Sequence, residues 1–348
     1  MALQSSGAIS LDDLHVEVGG TSGTTCSLND ADIRALINVG DSAGQSIQQY
    51  YGKSSETSLP TSGSTINGQV QLQEITASTY ISSGGTLRIP SNMWVWSNST
   101  STAALTIDIP CTIINDGKII GKGGVGGHGN TVISNSTSNA RGNGGDGGPA
   151  IKINSSVSGV TITNSSGAFL AGGGGGGGSS GIEPQNTYAG GGGGAGGGNG
   201  GSGGGVGTGN VGGTGGALNA AGNQHTGNPI SSAPGGQAGG YGNGSASEDN
   251  RSGGGGGGGR ILPGVIVSGV NSFFTAPGVA GNAGSNGTSG GNTGKAGGGG
   301  GWGAAGGLGY RGTFGTNDCV GGSGGKAVED SGNSYTLNNS GVIYGATT

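Results

Sequence analysis

Aromatic and arginine side chains are the groups in this sequence best suited to contact another molecule, and most of them lie in short stretches between runs of glycine. Such side chains combine a large apolar surface with a polar group, and they often anchor the centre of an interface. Eight residues of these stretches are therefore candidate contacts with an external ligand: Tyr188, His225, Tyr241, Arg251, Trp302, Tyr310, Arg311 and Phe314.

The same stretches offer little for catalysis. Hydrolysis of a glycosidic bond needs two carboxyl groups at a defined separation, whereas the adjacent Glu248 and Asp249 stand beside Arg251, as expected of a solvated turn. The 3 histidines and 3 cysteines are widely spaced, without CxxC pairs or metal-ligand spacing. We therefore expect no enzyme activity, no cofactor and no metal site.

The charge balance disfavours nucleic acid as a partner. The chain has 12 Lys and Arg against 17 Asp and Glu, a net charge of -5, and no basic stripe. The amino terminus lacks a basic region followed by an apolar run, and no stretch of about 18 apolar residues is present. These features predict synthesis and assembly in a cytoplasm rather than export through a signal peptide.

Glycine dominates the middle of the chain, where 80 of the 94 glycines lie between residues 117 and 325. Three interpretations compete. A flexible linker does not explain apolar stretches such as RILPGVIVSGVNSFFTAPG, in which Phe273 and Phe274 fit a small core better than a contact. A collagen triple helix is excluded, because Ala195, Asn199 and Val206 fall on three different phases of a three-residue count.

The remaining interpretation is a bundle of polyglycine II helices. Such a helix has three residues per turn and no internal hydrogen bonds, so neighbouring helices must satisfy its N–H and C=O groups. Only glycine allows the backbones to approach that closely. In this interpretation the stretch AGGGGGGGSSG at 171–181 is packed interior rather than a linker.

An imperfect repeat accompanies the glycines. TIINDGKIIG (112–121), TITNSSGAFLAG (161–172) and TLNNSGVIYG (336–345) each indicate a strand, an Asn-bearing turn, a second strand and a glycine. The last copy comes close to the end of the sequence. We therefore expect the chain to return and pair with the strands where the glycine-rich region began.

Residues 1–53 and 54–116 have a more ordinary composition. In CSLNDADIRALIN, Ser27 stands where an N-cap belongs and Asp30 near the positive end of a helix, which predicts a helix from about Leu28 to Asn38. AISLDDLHVEVGG, before it, indicates a short extended segment. Residues 54–116 contain short β-branched runs, and we expect Trp94 and Trp96 to share one strand face in a core or oligomer contact.

Two parts of the sequence resemble known families. The pattern from ISLDDLHVEVGG through DADIRALI to QQYYG resembles the amino-terminal segment of tailed-phage virion proteins, especially tail-fibre proteins of myoviruses from aquatic hosts. The glycine runs with intervening loops resemble distal tail-fibre adhesins of T-even-type phages. The first resemblance implies virion attachment, with candidate residues Leu28, Ile33, Leu36, Ile37, Tyr50 and Tyr51.

These observations predict a mainly β and irregular fold in three parts. Residues 1–53 form a virion-attachment unit with one short helix, 54–116 a β-rich neck, and 117–348 a polyglycine II adhesin module flanked by the strand and Asn-turn repeats. We expect a phage tail-fibre or baseplate-tip adhesin that binds a bacterial outer-membrane protein or surface glycan, and that attaches to other tail or baseplate proteins through its amino terminus. Alternatives are a virion fibre or decoration protein without a ligand, and an ice-binding polyglycine II protein. The oligomeric state stays open between monomer and homotrimer.

Overall fold

The computed structural model describes most of the chain outside one long central stretch. The described residues are 3–4, 6–37, 39–40, 44–51, 55–60, 65–66, 69–128, 142–182, 187–201, 203–205, 208–210, 281–284, 286, 289–290, 293–294, 296–309 and 319–348. Their fold is mainly β, as expected.

Most strands belong to a three-sided stack of parallel coils, which we call the solenoid. With strands numbered along the chain, sheet A contains β1 (Glu56–Ser58), β5 (Thr86–Ile89), β8 (Thr112–Asn115), β11 (Val160–Asn164) and β20 (Tyr335–Asn339). Sheet B contains β2 (Thr65–Ile66), β3 (Gln69–Gln73), β6 (Met93–Trp96), β9 (Lys118–Ile120), β12 (Phe169–Ala171) and β21 (Val342–Tyr344). Sheet C contains β4 (Ile75–Thr76), β7 (Leu105–Ile107), β10 (Ile151–Ile153) and β19 (Val328–Glu329).

Apolar side chains at alternate positions along the strands fill the interior of the solenoid. Leu87, Ile113 and Ile162 are in register across sheet A, and all three are fully buried. Val95, Ile119 and Leu170 do the same in sheet B. The β-branched and leucine side chains that indicated strands in the sequence therefore form one continuous core, which explains why the short strands are stable.

The Asn-turn repeats stack on one another, which confirms that the chain returns to pair with its earlier strands. β8, β11 and β20 run parallel and in register, as do β9, β12 and β21. The repeat therefore corresponds to one corner of three successive coils. Because strands on both sides of residue 116 share the same sheets, the predicted boundary at 116 does not separate two sets of strands.

The corner between sheets B and C carries the glycines. The connection there is residue 74 in the first coil and residues 97–104 in the second, but 121–150 in the third and 172–327 in the fourth. The described residues of the last connection contain four antiparallel strand pairs: β13 (Ser180–Ile182) with β14 (Thr187–Ala189), β14 with β15 (Gly203–Gly205), β15 with β16 (Thr208–Asn210), and β17 (Ser289–Gly290) with β18 (Thr293–Gly294). The rest of the described connection consists of extended glycine segments.

The amino-terminal unit contains two short α-helices among its described residues, and this corrects the sequence-based prediction. Helix α1 (Leu11–Glu17) occupies the part predicted to be extended, because Ser10 and Asp13 form a capping box that satisfies the first N–H groups. Helix α2 (Ala31–Ala35) is shorter than the predicted helix and has Asp30, not Ser27, at its N-cap. Two 3-10 turns follow at Ile47–Tyr50 and Ala77–Thr79.

Within the described ranges, no helix has the length and apolar character needed to cross a membrane.

Candidate functional site

Eight extended segments form most of the described glycine lattice beside the solenoid, and residues 281–284 add to it by hydrogen bonds from Gly301 N to Asn282 O and from Gly284 N to Ala305 O. We number them along the chain as segments 1 (121–128), 2 (142–149), 3 (172–179), 4 (190–195), 5 (198–201), 6 (296–301), 7 (304–309) and 8 (319–326). Backbone hydrogen bonds join them at intervals of three residues; in segments 1 and 3, for example, the N–H groups of Gly124 and Gly127 donate to Gly174 and Gly177.

Segment 3 lies at the centre of the lattice and has six neighbouring segments. Its successive N–H groups donate to segments 2, 4 and 7 in turn. The first three such bonds, each of 2.9 Å, run from Gly173 N to Gly148 O, from Gly174 N to Ala195 O and from Gly175 N to Ala304 O. Its carbonyl groups accept from segments 1, 6 and 8 in the same rotation. Every direction around segment 3 is therefore used by a hydrogen bond to another piece of backbone.

The close approach of these backbones leaves no room for side chains inside the lattice. A Cβ atom at Gly176 would overlap the carbonyl oxygen of Val125, and one at Gly177 would overlap that of Gly297. In segments 1 and 8 the side chains of Val125 and Val320 face outward, at 41% and 50% exposure, whereas Cys319 at the distal end of segment 8 is buried. The glycines of 172–178 are thus required by packing.

The segments alternate in direction, which defines two ends of the lattice. Segments 1, 3, 5 and 7 run away from the solenoid, and segments 2, 4, 6 and 8 run back towards it, as the order of hydrogen-bonded pairs shows. At the distal end the chain leaves the lattice at His128, Ser179, Gly201 and Gly309, and it re-enters at Gly142, Gly190, Ala296 and Cys319. At the proximal end, turns at 195–197 and 302–303 face the solenoid.

An aromatic cluster, which we call the aromatic plug, joins the proximal end to the outer face of sheet B. The ring of Trp302 meets that of Phe169 edge-on at a centroid distance of 5.9 Å, and Phe169 meets Tyr344 in the same way at 5.4 Å. Trp94 is buried in the plug, together with Ile120, Ala171 and Ala195, and Trp96 packs against it. The prediction that Trp94 and Trp96 share one face in a core is therefore confirmed.

Trp302 does not lie where a ligand contact was predicted. Its side chain is fully buried in the aromatic plug, at the end of the lattice opposite to the distal exits. The reason is that the turn at 302–303 connects two segments on the solenoid side, which composition alone did not reveal. Trp302 is therefore a core residue.

The other candidate contacts stay predictions. Tyr188 belongs to β14, in the connection between segments 3 and 4 that leaves the distal end; only its backbone is described. Tyr310, Arg311 and Phe314 follow Gly309, where segment 7 leaves the same end, but lie outside the described residues, as do His225, Tyr241 and Arg251. The paired Phe273 and Phe274, predicted to form a small core, also fall outside them.

The candidate attachment residues of the amino-terminal unit fall into two groups. Ile33 and Tyr50 are fully buried with Leu14 in the core of the unit itself, so their assignment to a virion contact is corrected to a structural role. The others are only partly buried: Leu28, Leu36, Ile37 and Tyr51. Val16 on α1, not selected from the sequence, is 47% exposed.

A cleft of about 400 Å³ separates the amino-terminal unit from the first coils of the solenoid. Val18, Ala35 and Leu36 line one side, and Tyr80 and Ile81 line the other. The linking residue Ser55 ties the two parts together, since its N–H donates to a carboxylate oxygen of Glu17 at 2.9 Å and its hydroxyl to the Glu17 carbonyl at 2.7 Å.

The charged and ionisable groups of the described structure serve its fold. Arg88 lies between Glu56 and Asp116 on the outside of sheet A, and hydrogen bonding to Glu56 raises the pKa of its guanidinium. Burial raises the pKa of the Cys111 thiol to about 11. All three cysteines are free, and the described residues contain no cluster of His, Cys, Asp and Glu that could hold a metal ion.

Sequence reasoning missed a row of three asparagines, of which Asn115 and Asn164 are fully buried and Asn339 is exposed. Asn115, Asn164 and Asn339 end strands β8, β11 and β20 and stack in register as an amide ladder. Asn115 Nδ2 donates to Asn164 Oδ1, and Asn164 Nδ2 donates to Asn339 Oδ1, each at 2.8 Å. Aligning the three repeats does bring these asparagines into one column, so the signal was present in the sequence.

A solenoid that carries a glycine lattice at one corner, with chain exits gathered at the far end of the lattice, defines a mainly β scaffold for displayed loops. The model of the phage tail fibre adhesin Gp38 family matches residues 56–251, more than half of the chain. The chain therefore belongs to the phage tail fibre adhesin Gp38 family. It is a tail fibre adhesin located in the virion tail, and the predicted resemblance to such adhesins is confirmed to that extent.

A solved structure is also similar: the crystal structure of the gp37-gp38 adhesin tip complex of the bacteriophage S16 long tail fiber. It aligns over 100% of both chains, with 17% sequence identity and a TM-score of 0.40. No curated protein matches the chain significantly.

Proposed function

We propose that this adhesin binds a bacterial surface receptor, an outer-membrane protein or a glycan, through loops displayed at the distal end of the glycine lattice. The observation that carries the proposal is the alternating direction of the segments, which brings the chain exits at His128, Ser179, Gly201 and Gly309 to the end away from the solenoid. Of the candidate contacts, Tyr310, Arg311 and Phe314 follow directly on such an exit, and Tyr188 lies in another. A ligand contact there would not disturb the packed backbone.

We further propose that the glycine segments are polyglycine II helices. The three-residue interval of the hydrogen bonds, the six neighbours of segment 3 and the overlap that a Cβ at Gly176 would make with Val125 all support this packing. Such a scaffold fixes the points at which the chain leaves and re-enters the lattice at its distal end.

The receptor proposal is tested by the triple variant Tyr310→Ala, Arg311→Ala, Phe314→Ala. We expect the labelled protein to lose at least about tenfold in affinity for host cells, because aromatic and arginine anchors carry much of the energy of an interface. The control is Thr336→Ala with Asn338→Ala, two exposed residues of β20 on the solenoid, which should leave binding unchanged. Unchanged binding by the triple variant and by a Tyr188→Ala variant would assign the contact elsewhere. Protein that neither binds cells nor blocks infection would favour a purely structural role.

We propose that residues 1–53 attach the protein to another tail protein. The unit has its own small core around Leu14 and Ile33, and it leaves Val16 exposed and Leu36 partly exposed. The segment also resembles the amino-terminal attachment segment of tailed-phage virion proteins, and the exposed surface around Val16 is where we test the contact.

The attachment proposal is tested with Val16→Glu in the phage genome. A buried, unpaired charge opposes association, so we expect purified virions to lack the protein when measured by mass spectrometry. Val125→Glu is the matched control, since Val125 is similarly exposed but lies on the lattice. If both variants are incorporated normally, and deletion of 1–53 does not prevent incorporation either, attachment must use another surface.

A further inference from the structure

The glycine lattice has a property that a β-sheet with side chains lacks: its hydrogen bonds do not determine how far a segment slides along its own axis. The bonds recur every third residue, and residues 172–178 and 297–301 are all glycine. A segment displaced by three residues, about 9 Å at roughly 3.1 Å per residue, would meet the same pattern of donors and acceptors. In a sheet the alternation of side chains penalises such a slip.

Residues other than glycine must therefore set the register. For segments 6 and 7 the turn that joins them supplies such a residue, since the Trp302 side chain is fully buried against Phe169 on sheet B. The adjacent Gly303 has a positive φ of 61° and donates its N–H to the Gly172 carbonyl at 2.8 Å, at the start of segment 3. The turn is thus fixed to the solenoid and to the central segment at once.

We propose that Trp302 is a positioning residue that sets the register of segments 6 and 7 against segment 3, and with it the position of the distal exit at Gly309. A slip of one turn would withdraw the indole from the aromatic plug, and burial of a tryptophan is the largest single apolar contribution in the lattice. This inference rests on the proposed receptor function in one respect: the exit at Gly309 leads to the candidate contacts Tyr310, Arg311 and Phe314.

The register can be measured without any receptor. Gly306 N donates to Gly322 O at 2.9 Å, so segments 7 and 8 are direct neighbours, and Ala305 and Ser323 are exposed on them. In the full chain carrying Ala305→Cys and Ser323→Cys, a short bismaleimide should join the two engineered thiols, and peptide mass spectrometry identifies that pair among the other cysteines.

Adding Trp302→Ala to this chain should reduce the 305–323 crosslink at least about threefold, while the amides of Gly172–Gly178 remain slow to exchange. Trp302→Phe, which keeps an aromatic ring in the plug, should restore most of the crosslink. Trp96→Ala is the control, because Trp96 packs against the same plug from strand β6 but is not in the turn; its crosslink should equal that of the parent chain.

The two proposals fail in different ways. An unchanged 305–323 crosslink in the Trp302→Ala chain would overturn the register role, and so would fast exchange throughout Gly172–Gly178, which would mean that the plug is needed to form the lattice at all. Absence of host-cell binding by the unaltered protein would instead refute the receptor proposal, without affecting the crosslink result.

Discussion

At the scale of single residues, the amide ladder shows how closely a buried polar group depends on its neighbours. Asn164 is fully buried, accepts from Asn115 and donates to Asn339 and, at 3.4 Å, to the Val342 carbonyl. Within the described structure Asn115 Oδ1 has no donor, because the position before it in sheet A is Ile89. The ladder therefore begins at the third coil.

The variant Asn164→Asp should destabilise the solenoid by roughly 3 kcal/mol at pH 7, because it removes two donated hydrogen bonds and buries a carboxylate. Burial beside the oxygens of Asn339 and Val342 raises the folded pKa of the new carboxyl above its unfolded value. The loss should therefore be greatest at neutral pH and smaller at about pH 4, close to the unfolded pKa of about 3.9, where little of the free energy of ionisation remains. Urea unfolding at pH 4 and pH 7 measures both effects.

The control for this substitution is Asn338→Asp, at an exposed position of the adjacent strand β20. It should change the free energy of unfolding by less than about 0.5 kcal/mol. If both variants lowered the free energy of unfolding equally, the amide ladder would contribute no more to stability than an exposed asparagine does.

At the scale of elements, helix α1 lies where the alternating residues of the sequence predicted an extended segment. AISLDDLHVEVGG suggested alternation, but Ser10 and Asp13 stand three residues apart, and their reciprocal hydrogen bonds begin a helix. Hydrogen bonding to Ser10 lowers the pKa of Asp13. The strands of the repeats were predicted correctly, because the same pattern of residues occurs in three copies. The only sequence signal for the seven-residue helix α1 is its single capping box.

The substitution Asp13→Asn should make the amides of α1 exchange faster at pH 6, because a neutral amide accepts the Ser10 bonds less strongly and interacts less with the helix dipole. The folded pKa of Asp13 is lowered, so the carboxylate contributes stability above its unfolded pKa of 3.8 and loses it as the pH falls through the folded value. The difference between variant and parent should consequently shrink as the pH falls, and it should be smaller at pH 2 than at pH 6. Exchange in α2 is the internal control; an undiminished difference at pH 2 would contradict this account.

At the scale of the whole molecule, composition predicted that the glycines form packed interior and that the fold is mainly β. It could not predict which end of the lattice each turn occupies. That depends on where the chain leaves strands β9 and β12 and where it enters strands β10 and β19. For this reason Trp302, chosen as a contact, is in the aromatic plug. Likewise Ile33 and Tyr50, chosen as attachment residues, are buried in the core of the amino-terminal unit.

The substitution Gly176→Ala tests the lattice as a unit. Its Cβ would overlap the Val125 carbonyl, which belongs to a neighbouring backbone that cannot turn aside as a side chain can. We expect a loss of about 3 kcal/mol or more and faster amide exchange throughout Gly172–Gly178. Gly40→Ala is the control, because nothing lies within 4 Å of a Cβ there. Slow exchange in Gly176→Ala would mean that the segments are more loosely packed than the hydrogen bonds indicate.

The corner between sheets B and C, where each successive coil carries a longer connection, has a consequence for how such a protein can diversify. Each connection begins and ends at strands that are held by the coils above and below, so its two ends stay close together whatever lies between them. Duplication of a glycine hairpin at this corner would enlarge the display surface without altering the solenoid core. Under the proposed receptor function, a longer or exchanged connection at this corner would change the molecule that is bound and leave the fold of the solenoid unaltered.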